Sequence, residues 1–267
     1  MQGTGVSISK KCSSPWLGLA AAAMALSVMV PSIAQAQQWE FSLGAGVGAA
    51  PDYEGSNDYE AVPLLLARAE KGNRFVELFG TTLRANLINS PTFTAGPVLN
   101  YRFERDDVES NAVDRLDDVD EAIELGGFVG LSAGGWFGRV TLTQDVNDGH
   151  DGLLLALLGG YTTSLAPSWT LSTSVSTTYA DDDYMDSYFS IDAGDSAASG
   201  LDEFDADAGF KDAGVSLRLA WGQGAGWGVT SIASYTRLLD DAEDSPVVDD
   251  AGDANQLFGG VALTYAF

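Results

Sequence analysis

Apolar and polar residues alternate along several stretches of the chain. From Trp169 to Tyr179 the odd positions carry mostly large or β-branched side chains, whereas every even position is Thr or Ser. The same alternation occurs over 39–48, 93–103 and 215–221. Because successive side chains of a β-strand point to opposite faces of a sheet, a period of two predicts strands with one apolar face.

Two architectures share this alternation: a soluble sandwich with its polar face outside, and a membrane barrel with its polar face inside. Aromatic residues recur near the predicted strand ends, as in the girdles of membrane barrels. The polar face is small and glycine-rich, with scattered Arg and Glu. The last strand ends in an alternating apolar tail that includes Tyr265 and Phe267, which resembles the signal for barrel assembly in the outer membrane. We therefore predict an all-β fold, a transmembrane antiparallel β-barrel.

Twelve strands are predicted. They are 39–49, 60–70, 74–79, 82–88, 93–103, 121–132, 136–146, 152–163, 168–180, 213–221, 226–237 and 256–267. The third and fourth are short and joined by a weak turn at Gly80-Thr81, but merging them would leave eleven. A barrel with both termini in the periplasm needs an even number, so we keep twelve, with a ten-stranded regrouping as the alternative.

The connections between predicted strands alternate between long and short. The long ones, 50–59, 104–120, 147–151, 181–212 and 238–255, hold most of the 38 acidic residues. The others are tight turns such as Lys71-Gly72-Asn73 and Ala166-Pro167. Long loops outside the cell and short turns in the periplasm are typical of outer-membrane barrels, so the acids are predicted to form a surface coat.

The N-terminal segment has the features of an export signal. Lys10 and Lys11 precede an apolar stretch from Trp16 to Val30, and Ala34-Gln35-Ala36 fits the small-x-small cleavage rule. We therefore predict a signal peptide over 1–36, cleaved between Ala36 and Gln37, and a mature barrel over 37–267. The predicted location is the outer membrane of a Gram-negative cell.

The composition excludes several kinds of function. The chain has 38 acidic and 13 basic residues and a formal charge of −25, which argues against binding nucleic acid. It contains one His and one Cys, which excludes a disulfide framework within the chain and a His-rich metal site. No cofactor-binding motif is present, so we predict neither a cofactor nor a metal.

His150 is the one residue that suggests catalysis. It could act as a general base with Asp145, Asp148 or Asp151, but no Ser or Cys nucleophile is near it in sequence. The alternative, a polar loop residue next to a strand end, is the better interpretation. The same stretch superficially resembles a calcium loop, yet His150 occupies the position that requires Gly, and the bidentate acid is absent. We predict no catalytic residue and no enzyme.

Two further groups of charged residues leave alternatives open. Acidic runs at 181–183, 240–241 and 249–250 could bind divalent cations loosely or could form a solvated surface, and the solvated surface is favoured. Five residues of the predicted lumen could line a channel or pair with one another to fill the interior. These five are Glu40, Arg84, Arg102, Glu124 and Arg218.

Several local strings, in their order and spacing, resemble the MipA/OmpV family of outer-membrane proteins over Trp39 to Phe267. The strings run through Pro51-Asp-Tyr-Glu-Gly-Ser56, Gly96-Pro97 to Arg102, Gly149 to Gly152, Ser199-Gly-Leu201 and Tyr235 to Val248. Within them the candidate motif residues are Tyr53, Gly55, Ser56, His150, Ser199, Gly200, Leu201, Asp244, Ser245 and Pro246.

The resemblance implies an outer-membrane barrel without enzymatic activity that contacts membrane lipid and lipopolysaccharide. It also implies a scaffold for two murein enzymes, a lytic transglycosylase and a bifunctional penicillin-binding protein. The alternatives are a narrow solute channel and surface adhesion or lipopolysaccharide interaction through the acidic loops. A murein scaffold would have to use the periplasmic turns, which are very short.

Overall fold

The computed structural model describes residues 38–222 and 224–267, and twelve antiparallel strands in this part form one closed barrel. The predicted strand number and order are confirmed. The predicted signal peptide and its cleavage between Ala36 and Gln37 lie outside the described residues. The strands are β1 (Glu40–Pro51), β2 (Tyr59–Lys71), β3 (Arg74–Phe79), β4 (Thr82–Asn86), β5 (Phe93–Arg102), β6 (Ala122–Ala133), β7 (Trp136–Asp145), β8 (Leu153–Ala166), β9 (Trp169–Ala180), β10 (Gly209–Trp221), β11 (Gly226–Leu238) and β12 (Asn255–Ala266).

The apolar face of each strand forms the outside of the barrel. In β5, Phe93, Leu99 and Tyr101 are exposed, whereas Val98 on the other face is buried. Exposed Trp136 and Trp227 lie near the ends of their strands. An outward apolar band with aromatic side chains at its rim is the surface of a protein whose solvent is hydrocarbon, so the barrel spans a membrane.

The hairpin of β3 and β4 is shorter than its neighbours, and its turn at Gly80 has a φ of 60°. The two short strands are therefore separate. β2 pairs with β3 only from Leu66 to Lys71, so the segment Tyr59–Leu64 pairs with a described strand on its β1 side alone. Pro63 lies in this segment, in keeping with the confinement of proline to strand edges.

The long connections at one end of the barrel fold into helices, which the sequence analysis missed. Between β9 and β10 lie α1 (Asp182–Phe189) and α2 (Ala193–Ser199), and between β11 and β12 lie α3 (Asp240–Asp244) and α4 (Pro246–Asp249). β10 also begins at Gly209, four residues earlier than predicted. None of the helices in the described residues is long and apolar enough to span a membrane.

The five long connections, 52–58, 103–121, 146–152, 181–208 and 239–254, pack together as one body that we term the cap. Its apolar core draws on all but one of them, the exception being 146–152. The core includes Tyr53, Val113, Leu116, Tyr184, Met185, Phe189, Ile191, Val247 and Val248. The sequence analysis predicted an acidic surface for these loops but not this core, because the apolar residues that form it are scattered along the chain and meet only over the barrel mouth. Long loops mark the extracellular end of such barrels, so we expect the cap to face the cell exterior.

The barrel closes where β1 pairs with β12, from Ser42 opposite Ala266 to Ala49 opposite Gly259. Gly46 allows the close approach here, since a Cβ at this position would lie 1.9 Å from the Val261 carbonyl oxygen. The same seam continues into the cap. The Gln256 side chain accepts from Gly55 N–H at 3.2 Å and donates to Ser56 O at 3.1 Å.

Candidate functional site

Helix α1 forms the centre of the cap. Asp181 caps its N-terminus, accepting from Tyr184 N–H at 3.2 Å and from Leu153 N–H at 2.9 Å. The apolar residues of α1 recur at helical spacing, and all four are buried. They are Tyr184, Met185, Tyr188 and Phe189.

A network of ion pairs lies directly beneath α1. Glu54, from the first loop, forms an ion pair with Lys211 of β10 and accepts from the Tyr184 hydroxyl at 2.5 Å. Lys211 also lies 2.8 Å from Asp212 Oδ2, and its side chain is only 6% exposed. The network therefore connects the first loop, the fourth loop and the barrel wall through buried charges, each of which has a partner of opposite sign.

A β-bulge turns Lys211 inward. The register between β9 and β10 shifts between Phe210 and Asp212, so one extra residue is accommodated in β10. A bulge interrupts the regular in-out alternation, and here Lys211 and Asp212 are both buried although they are adjacent in sequence. This bulge explains why the alternation in the sequence fails before Ala213 and why the predicted strand began too late.

A second group of charges surrounds Glu124 of β6. Arg102 Nε donates to Glu124 Oε1 at 2.8 Å, and Asn100 donates to Oε2 at 3.1 Å. Arg102 also lies 3.8 Å from Glu54 and under the rings of Tyr184 and Tyr188. Arg102 therefore joins the two groups of charges into one network at the top of the lumen.

His150 lies in the loop 146–152, next to the start of β8, and belongs to this network. Its side chain is fully buried, with Nε2 3.3 Å from Glu124 Oε1. Its Nδ1 accepts from Gly152 N–H at 3.0 Å, so the proton is on Nε2, which donates to Glu124. With both nitrogens engaged, His150 holds the cap in place and has no free nitrogen to act as a base.

The loop that carries His150 is organised by Asp145. One carboxylate accepts from four backbone N–H groups, of Asn147, Gly149, His150 and Asp151, at 2.7–3.0 Å. The carboxylate therefore has a structural role: its hydrogen bonds to the backbone bend the loop inward over the lumen. In the stretch that superficially resembles a calcium loop, Asp145 at the first position therefore binds backbone amides.

The cap brings most of the family-motif residues together. Tyr53, Ser56 and Ser245 are buried, and the Ser245 hydroxyl donates to Phe189 O at 2.6 Å. Pro246 follows Ser245 at the start of α4, where proline is favoured. Gly55 has a φ of 101°, a backbone conformation that favours glycine.

The other motif residues lie apart from this network. Ser199 accepts from Leu201 N–H at 3.1 Å, and Gly200, with a φ of 83°, ends α2 in the left-handed conformation. Asp244 is an exposed residue at the end of α3. These positions shape loop turns.

Burial and charge shift the pKa values of the cap residues. Burial raises the pKa of Glu54, but Lys211 and Arg102 outweigh it, so this pKa is lower than usual. Burial, opposed by Arg102, raises the pKa of Tyr188 to about 12 and that of Tyr184 well above its ordinary value. At neutral pH the network therefore consists of an ionised Glu54 and neutral tyrosines.

Below the cap, the lumen contains polar cavities of about 480 and 680 Å³. Of the five predicted lumen residues, Arg102 pairs with Glu124, and Arg84 pairs with Glu77 at 2.5 Å. Glu40 lines the cavity at the periplasmic rim. Arg218 has no carboxylate within 4 Å among the described residues. Ion pairing thus accounts for Arg84, Arg102 and Glu124, and open cavities remain beside these three residues.

The acidic runs do not converge in a way that suits a metal. Within 38–222 and 224–267, no group of three His, Cys, Asp or Glu side chains could hold a metal ion. Asp181 is the cap of α1, Asp182 accepts from Ala208 N–H, and Asp241 accepts from Asp207 N–H. Several of these acids therefore stabilise loop backbone.

A closed twelve-stranded barrel with an apolar exterior and a packed cap over one end defines an integral outer-membrane protein of the Gram-negative envelope. The family model described as "MltA-interacting protein MipA" matches residues 43–267. The chain belongs to the MipA family. No curated protein matches it significantly.

Solved outer-membrane barrels resemble the chain only distantly. A KdgM porin has a TM-score of 0.42 and 9% identity, covering 85% of this chain and 99% of its own. An outer membrane channel from Pseudomonas putida F1 has a TM-score of 0.43 and 11% identity, covering 90% and 100%. The translocator domain of the autotransporter NalP from Neisseria meningitidis has a TM-score of 0.41 and 10% identity, and the match covers 87% of this chain and 90% of that domain's chain.

Proposed function

We propose that this chain is a non-catalytic outer-membrane scaffold that holds a murein lytic transglycosylase at the periplasmic face of the barrel. The family name denotes a protein that interacts with MltA, and the matched region covers nearly all of the described residues. The observation that carries the proposal is the packed cap. Because the cap covers the extracellular end, the periplasmic end is the surface left for a murein enzyme to contact.

The turn 87–92 between β4 and β5 is the best docking surface at that end. Buried Asn86 holds it: its oxygen accepts from Ile88 N–H and Ala95 N–H, and its amide donates to Asn73 O at 2.5 Å and to Ile88 O at 3.0 Å. The turn exposes Leu87 and Pro91. A rigid surface loses little conformational entropy on binding, which favours a docking role despite its small size.

Site-specific photo-crosslinking in living cells tests this proposal. A photoreactive residue replaces Pro91 in the turn or Trp136 at the rim, and a matched control replaces Asp244 on the cap. We expect mass spectrometry to identify a lytic transglycosylase or a murein synthase at Pro91 or Trp136 and neither enzyme at Asp244. Capture of these enzymes at Asp244, or of lipid alone at both periplasmic positions, would contradict the scaffold.

A narrow solute channel is the second candidate, and the two polar cavities below the cap favour it. Passage would require the cap to open, which breaks its buried ion pairs. A steady single-channel conductance in planar bilayers that falls in Arg218→Gln would support the channel. A purified barrel that does not conduct at any applied voltage would leave the scaffold as the function.

A further inference from the structure

Three serines of the lumen lie side by side on neighbouring strands. Ser216 of β10 is in register with Ser174 of β9 and with Ser234 of β11, and all three line the cavity of about 480 Å³. Neighbouring strands are about 4.8 Å apart, so the three residues form an evenly spaced row across the sheet. None of the three hydroxyls forms a hydrogen bond with another described residue. We term this cavity the serine chamber.

Two arginines of the serine chamber have no acidic partner. Arg218, two residues from Ser216 on the same inward face, has its guanidinium carbon 5.3 Å from the centre of the Phe79 ring. Arg139 lines the same cavity from β7. No carboxylate of the described residues lies within 4 Å of either guanidinium. The N–H groups of both arginines are therefore available to an incoming acceptor.

The charge in the chamber is opposite to that of the whole chain. The chain carries a formal charge of −25, yet the charged residues of the chamber are three arginines and Glu77. Glu77 is already engaged, because both Arg84 and Arg68 donate to it. In a low-dielectric wall, two unpaired guanidinium groups attract an anion strongly.

The chamber adjoins a second cavity that extends to the barrel rim opposite the cap. The cavity of about 680 Å³ shares Glu77, Phe79 and Arg218 with it and extends to Gly224 and Phe267 at the barrel rim. The cap lies at the opposite end. The two cavities therefore adjoin at Arg218, and a solute that enters at the periplasmic rim need not cross the cap to approach it.

We propose that the serine chamber binds a small hydroxyl-rich oxyanion, a sugar acid or sugar phosphate, that enters from the periplasm. Arg218 and Arg139 bind the oxyanion through charge-assisted hydrogen bonds, and the row of Ser174, Ser216 and Ser234 binds its hydroxyl groups. The volume of about 480 Å³ lies in the range of small-molecule sites, roughly 300–1,000 Å³.

Cysteine labelling tests the charge of the chamber. In the Cys12→Ser background, which removes the one native thiol, Ser216→Cys is labelled with methanethiosulfonate reagents that carry a sulfonate or a trimethylammonium group. We expect the sulfonate reagent to react about tenfold faster, and this preference to disappear in Arg218→Gln and to persist in Arg218→Lys. Ala133→Cys, at an exposed strand end, is the control, and Arg74→Gln on the outer face is the matched charge change. Heat-modified gel mobility shows which variants are folded.

Protection from labelling tests the ligand. Glucuronate carries a carboxylate and glucose 6-phosphate carries a phosphate, so comparing them distinguishes the two kinds of oxyanion. Both should slow labelling of the Ser216→Cys thiol at millimolar concentrations, whereas glucose should not. The apparent affinity should fall about tenfold in Arg139→Gln and stay unchanged in Arg74→Gln. The absence of an anion preference, a preference unaffected by Arg218→Gln, or equal protection by glucose would each overturn the proposal.

Discussion

Replacing Glu54 with Gln removes one charge from the centre of the cap and changes little else. The side chain keeps its size, but Lys211 loses one of its two carboxylate partners and the Tyr184 hydroxyl loses an ionised acceptor. The substitution tests whether the buried ion pairs hold the cap closed. Glu109→Gln is the matched control, because Glu109 is an exposed acid of the same cap.

The expected cost follows from the geometry of Glu54. Removing one partner of a fully buried ion pair costs about 3–5 kcal/mol. The Glu54 side chain is 19% exposed, and Lys211 retains Asp212 at 2.8 Å, so the cost is expected to be smaller, about 2 kcal/mol. A change of this size in the opening free energy corresponds to about a 30-fold faster exchange of protected amides.

Hydrogen exchange of the purified barrel measures this opening. We expect amides of Tyr184–Phe189 in α1 to exchange about 30-fold faster in Glu54→Gln, with the amides of β1 and β12 unchanged and Glu109→Gln resembling the wild type. Equal exchange in the two variants would refute the view that the ion pairs hold α1 down. Accelerated exchange throughout the barrel would show that the cap does not open as a separate unit.

The lowered pKa of Glu54 predicts that the stability of the cap depends on pH. Because the pKa of Glu54 is lower in the folded cap than its ordinary value, its ionised form stabilises the cap at neutral pH. This contribution is lost as the pH falls below the ordinary value and through the folded pKa. The protection factors of the α1 amides, which correct for the intrinsic pH dependence of exchange, should therefore be smaller in acid than at neutral pH in the wild type, and Glu54→Gln should show a smaller decrease.

Other substitutions test the seam and the packing of the cap. Gly46→Ala places a Cβ 1.9 Å from a backbone oxygen of Val261 and should prevent closure, seen as loss of heat-modified gel mobility, whereas Gly159→Ala, with no atom within 4 Å, should fold normally. Phe189→Ala empties a fully buried site and should destabilise the cap by about 3–5 kcal/mol, measured by protease cleavage within the loops. His150→Ala should lower the free energy of cap opening, measured by hydrogen exchange, by about 1–3 kcal/mol, because Glu124 loses a buried donor. Unchanged exchange together with loss of a hydrolase activity would contradict the structural role of His150.

The barrel could be predicted because its determinants are local. Side-chain alternation fixes which residues face lipid, and turn residues such as Gly72 and Gly134, with φ values of 64° and 59°, mark the periplasmic ends. Where two adjacent inward residues break the alternation at Lys211 and Asp212, the predicted strand boundary was wrong. A bulge is specified by the partner strand as well as by its own sequence.

The cap was harder to predict because its contacts are distant in sequence. Tyr184 and Glu54 are 130 residues apart, and nothing near either residue indicates the other. One local signal was available: Asp181 precedes apolar residues at 184, 185, 188 and 189, the pattern of a capped amphipathic helix. Ser245-Pro246 likewise matches a helix start.

The contact between Gln256 and the first loop links the cap to the order of folding. Gln256 and Gly55 are 201 residues apart, and they meet only when β1 and β12, the first and last strands, are already paired. Contacts between such distant residues form late, because the entropy of closing the long intervening chain must first be overcome. A sealed cap therefore forms only on a completed barrel. Protection of α1 from exchange would report, for each molecule, that its ring of strands has closed.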